Sequence, residues 1–145
     1  MTDTSWTSGV LGGVVGAAAM AVLISVMNPP TLEVAIPSLY TLAPPGSGAL
    51  GWVVHLSHGA VLGVVFVGLA DAAGLRGSTA RVVGGGVAWG VLTWLVLAAL
   101  LMPVWLDAVG SPANPPFPNF APPSLLWHAV YGLVLGGVVA TTDGR

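Results

Sequence analysis

The chain has no cysteine and no lysine. Without cysteine there is no disulfide, no thiolate nucleophile, no cysteine-held iron–sulfur cluster and no zinc finger. Without lysine there is no Schiff-base chemistry. Charge of either sign is scarce: 3 basic and 5 acidic residues in 145 make 6% charged and a formal net charge of −2. Ordinary soluble domains carry roughly 25% charged residues, and a water-soluble fold could not cover its surface with so few. No charge run offers a footprint for nucleic acid, which is not an expected partner. G-x-S-x-G, a phosphate loop and paired carboxylates are also missing. Hydrolysis, phosphoryl transfer and sugar chemistry therefore have no candidate residues, and the chain reads as non-enzymatic.

What is abundant is apolar. Hydrophobic residues make up 55% of the chain and the mean hydropathy is +0.92. About 20 apolar residues cross a bilayer as a helix. Four stretches qualify: 8–27, "SGVLGGVVGAAAMAVLISVM"; 49–70, "ALGWVVHLSHGAVLGVVFVGLA"; 82–105; and 124–141. They are continuously apolar, without the alternation of a barrel strand, so helices are expected. The opening "MTDTSWTSG" lacks a basic n-region and a cleavage site, so the first stretch is expected to be a retained helix. The expected fold is all-α: a single membrane domain over 1–145 with four transmembrane helices, in contact with the lipid bilayer of the cell membrane.

The arginines suggest an orientation. Arg76 and Arg81 lie in the 2–3 connection "DAAGLRGSTAR", and Arg145 closes the sequence. The positive-inside rule places both termini and this loop in the cytoplasm. Trp52, Trp105 and Trp127 then fall near the outer interface and Trp6 near the inner one, as aromatic belts would. Trp89 and Trp94 sit deeper. All 12 prolines lie in or beside the two outer loops, "NPPTLEVAIPSLYTLAPPGSG" and "LDAVGSPANPPFPNFAPP", which they stiffen. Both loops are apolar for solvated connections. The stretch 31–42 reads as a short interfacial or re-entrant helix broken near Pro37. It is a packed lid over the bundle, a docking surface for a partner or a cover over a site near the outer face.

The halves resemble each other. "HLSHGAVLGVV" aligns with "HAVYGLVLGGVV", placing His55 on His128, His58 on Tyr131, Gly59 on Gly132 and Gly63 on Gly136. "GGVVGAAAMAVLISVMNPP" aligns more loosely with "GGVAWGVLTWLVLAALLMP". The expectation is two parallel two-helix repeats, about 8–75 and 82–141, related by an axis along the membrane normal. Each span carries G-x-x-x-G: Gly9/Gly13 and Gly12/Gly16, Gly59/Gly63, Gly86/Gly90, Gly132/Gly136. Small residues at this spacing let helix backbones approach. They serve a tight bundle, contacts to other subunits in a homo-oligomer or larger complex, or space for a flat cofactor.

Every histidine falls inside a span, where ionisable residues suggest function. His55 and His58 share a helix face. His55 and His128 lie roughly 6–10 Å from the outer ends of their helices, level with each other, with His58 and Tyr131 as a second layer below. One reading is haem b with His55 and His128 as axial ligands and space provided by Gly59 and Gly132. A second is a transition metal, copper or zinc, on His55, His58 and His128, approached by Glu33 or Asp107 from the loops. A third is a proton, ion, quinone or small-molecule path using His58 and Tyr131, which would need an oligomer. The fourth is structural, with polar side chains bonding across helices. Ser57 and Thr93 are expected to bond back to their own helices, and Asp71 to pair with Arg76 or Arg81.

With its Gly/Ala/Val-rich spans and the phrases "MNPPTLEVAIPSLYTLAPP" and "WHAVYGLVLGGVV", the sequence resembles small four-helix membrane proteins of halophilic archaea. That resemblance covers nearly the whole chain. Those proteins are of unknown function, so it implies location and topology but no activity. The sequence alone favours a non-enzymatic subunit or packing element of a larger membrane assembly, ahead of a haem- or metal-binding redox subunit and an oligomeric transporter.

Overall fold

The computed structural model describes residues 3–142, with side chains described for 6–142. Arg145, one of the arginines behind the expected orientation, lies outside the described residues. The described residues are helices and connections, with no strand. Helix α1 is Asp3–Met27. The short α2 opens as a π turn over Thr31–Ala35 and closes as α-helix over Ile36–Ser38. Helix α3 is Gly48–Ala72, α4 is Thr79–Ala108 and α5 is Pro122–Thr142. Four of them, α1, α3, α4 and α5, are long and apolar enough to cross a membrane, which fits a multi-pass membrane protein in contact with lipid. The α1–α3 and α4–α5 connections lie at one end, the proline-loop end. The α3–α4 connection with Arg76, and Arg81 in the first turn of α4, mark the other, the arginine end.

Helix boundaries follow local chemistry. Asn28, just before Pro29, is the first residue past α1, because the residue before proline avoids α conformation. Ser47 has extended φ and caps α3, its Oγ accepting the Leu50 N–H at 3.3 Å. Gly74 (φ +64°) and Gly110 (φ +68°) supply the left-handed turns beyond α3 and α4. Asp71 pairs with Arg76 at 3.1 Å. Ser57 and Thr93 hydroxyls donate to the Val53 and Gly90 carbonyls of their own helices, as expected.

Two prolines reshape their helices in the same way. Pro103 has no N–H and its ring crowds the carbonyl four residues back, Ala99. The helix widens into a π segment over Trp94–Leu101 just before it. The Ala99 carbonyl instead accepts the Asn119 N–H at 2.9 Å. In α2, Pro37 frees the Glu33 carbonyl, which accepts the Ser47 N–H at 2.9 Å. Each proline loop is thus sewn to a helix by a backbone bond that the proline made available. The helix expected over 31–42 exists but ends at Ser38. It packs as a lid, with Leu32, Ala35, Ile36, Pro37 and Ser38 buried.

The helices pack in the order α3–α1–α5–α4, with α3 and α4 meeting only slightly. Glycines set the contacts. A Cβ at Gly13 would fall on the Gly59 carbonyl, and one at Gly9 on Gly63, so α1 and α3 touch backbone to backbone. Gly86 meets Gly132 and Gly136, and Gly90 meets the His128 carbonyl, in the same relation between α4 and α5. A second face of α1, Gly12 and Gly16, takes Leu135 and Tyr131 of α5. The aligned positions on α4 are Gly85 and Trp89. Trp89 packs against the core. Every one of these G-x-x-x-G pairs is used inside the chain.

Candidate functional site

The histidines lie where α1, α3 and α5 meet. The Tyr131 hydroxyl donates to the Gly59 carbonyl at 3.0 Å, both groups buried. Helices α3 and α5 both run from the proline-loop end to the arginine end, so this bond fixes their register. His55 and His128 each lie one turn nearer the proline-loop end. His55 is 8% exposed, and its ring lies by the Ala17 carbonyl and close to both His128 and His58. Its Nε2 is buried and has no hydrogen-bond partner. His128 is half-buried and its Nδ1 is 2.8 Å from the Ser124 carbonyl. A carbonyl only accepts, so the proton sits on Nδ1 and Nε2 carries a lone pair.

The second layer differs from expectation. His58 and Tyr131 hydrogen-bond to different partners. Tyr131 is committed to Gly59, while His58 Nε2 bonds the Tyr40 hydroxyl at 2.6 Å, with ring centroids 5.6 Å apart. The neighbouring Leu39 carbonyl accepts the Trp105 indole N–H of α4 at 2.9 Å. Residues 39–40 therefore form a strap between α3 and α4, the two helices that barely touch. No sequence pattern marks this strap. The only hint is a tyrosine within "SLYTLAPP", a stretch otherwise suited to burial.

Other expectations are corrected by packing. The face of Gly59 is filled by the Ala17 side chain and the Gly13 backbone, and that of Gly132 by the Gly86 backbone. Neither glycine leaves room for a macrocycle. Glu33 is exposed, and Asp107 takes the Asn114 amide at 3.3 Å. Among the described residues no three His, Asp or Glu side chains form a ligand set. Trp127 is no belt residue: it is 4% exposed and its Nε1 donates to Met27 Sδ at 3.1 Å, tying α5 to α1. Trp89 and Trp94 bury Nε1 atoms without partners, and Trp94 leans on Phe120 with centroids 5.9 Å apart. At the proline-loop end, Pro103, Asp107, Asn114 and Phe117 border an open surface hollow of about 380 Å³.

Residues 4–145 match a family of unknown function, DUF6789. The chain belongs to that family. No curated protein and no solved structure matches it.

Proposed function

We propose that this DUF6789 member is a non-enzymatic subunit or packing element of a larger membrane assembly, docked through its proline-loop end. The observation that carries this reading is the apolar character of that end. Tyr40, Trp105, Phe117 and Phe120 are each about half exposed or more (55%, 49%, 63% and 53%), Leu42 is exposed as well, and four of the five belong to loops. Contiguous exposed apolar surface of this kind marks an interaction site. The glycine faces support the same reading: they are spent on internal contacts, so a partner is better sought at the loops. The proposed orientation has both termini and the α3–α4 connection in the cytoplasm and the proline loops outside, from the placement of Arg76 and Arg81. The likeness to proteins of halophilic archaea belongs to this proposal, and it rests on the quoted phrases.

Photo-crosslinking tests it. A benzophenone side chain at Phe117, activated in native membranes before gentle solubilisation, is expected to give one discrete protein adduct. Moving the crosslinker to the lipid-facing Val61 should abolish that adduct. Crosslinks to lipid alone from both positions would overturn the proposal, and an adduct of twice the chain mass would make the partner a second copy.

A further inference from the structure

We propose that His55 and His128 together bind one monovalent d10 metal ion, copper(I), as a two-coordinate site between their Nε2 atoms. The inference goes beyond the subunit reading and does not depend on it. Three features of the packing carry it. The Tyr131–Gly59 bond ties the two parallel helices together one turn from both histidines. The Ser124 carbonyl holds the His128 proton on Nδ1, leaving the Nε2 lone pair free for a ligand. His55, more than nine-tenths buried, has an Nε2 atom that nothing in the chain satisfies. Buried polar atoms are nearly always partnered, and an orphan calls for an explanation such as an ion.

The chemistry of the surroundings selects the ion. His58, the third imidazole, is engaged by Tyr40, and no third His, Asp or Glu side chain completes a ligand set among the described residues. Zinc takes four ligands in structural sites and three plus water in catalytic ones. A divalent ion held by two neutral imidazoles would also keep its full double charge, and the cost of burying charge grows with its square. Copper(I) carries a single charge, has a closed d shell and is content with two nitrogen ligands in line. Haem would use the same two atoms, but the glycine faces beside them are filled.

The test uses the whole chain in detergent, titrated anaerobically with copper(I) against a chromophoric chelator and then examined by X-ray absorption. The expected result is one copper per chain with a two-nitrogen signature, kept in His58→Gln and lost in His55→Phe and in His128→Phe. Nitrogen-15 spectra of the unsubstituted protein guard against variants that fail to fold: copper should shift the Nε2 resonances of two histidines and leave the third. Failure of the unsubstituted chain to compete with the chelator, equal loss in His58→Gln, or displacement of copper(I) by stoichiometric zinc would each overturn the proposal.

Discussion

A methyl group added at Gly13 would land on the Gly59 carbonyl, whereas one added at Gly84 meets nothing within 4 Å. The two alanine substitutions should therefore act in opposite directions. Gly13→Ala forces α1 from α3 and is expected to destabilise by about 1–3 kcal/mol. Gly84→Ala is expected to stabilise by about 0.4–1 kcal/mol, since alanine has less freedom to lose than glycine. Thermal unfolding of both variants in one detergent would show a fall and a rise in Tm. Tyr131→Phe removes one cross-helix bond, and a loss of about 0.6 kcal/mol is expected on the same assay. At this scale the sequence was informative about glycines, because a four-residue spacing on a helix already states which backbone face is bare. It was uninformative about Tyr40. Its partner His58 is reached only because the chain folds back at α2, and no local periodicity encodes that.

Among elements, proline placement decides where the loops attach. In Pro103→Ala the Ala99 carbonyl regains an N–H donor within its own helix, and Asn119 must share or lose its acceptor. Hydrogen exchange should show faster amides around 117–121 and slower ones in α4. Unchanged exchange at Asn119 would mean that the loop is held by something else. The strap invites a similar comparison: Tyr40→Phe and Trp105→Phe should each speed exchange over 31–47, and the double substitution more than either. The four spans were legible from continuous apolar runs, and α1 stops at Asn28 as the following prolines dictate. The π segments were not, since a helix widens only if some other backbone group is positioned to take the freed carbonyl.

For the whole molecule, the lack of cysteine makes topology directly measurable. A single cysteine at Ser111 should react with an impermeant maleimide on intact cells, and one at Ser78 only after permeabilisation. The reverse pattern would invert the proposed orientation. The helix order was only half legible. The similarity of the halves suggests symmetric pairing, and Gly13–Gly59 and Gly86–Gly132 do repeat one contact. The α1–α5 and α3–α4 contacts, which ought to be equivalents, differ, and the aligned position that is Gly16 in α1 is Trp89 in α4. A large side chain on an otherwise similar helix does not say which neighbour it meets, so the sequence leaves this difference open.

Helix α4, at 30 residues, is about 45 Å long at 1.5 Å per residue, against a hydrocarbon slab of about 30 Å. Either it leans or it stands proud of the lipid. Asp107 in its last turn favours the second, and the backbone bond to Asn119 and the indole bond to Leu39 brace that protruding stub from two sides. The protein then resembles a post with a stiff collar, and its proline loops are carried clear of the headgroups. A soluble antibody or a bulky soluble domain could reach them without touching the membrane. In a thicker bilayer the collar would sink toward the headgroups, so the accessibility of this end should follow membrane thickness.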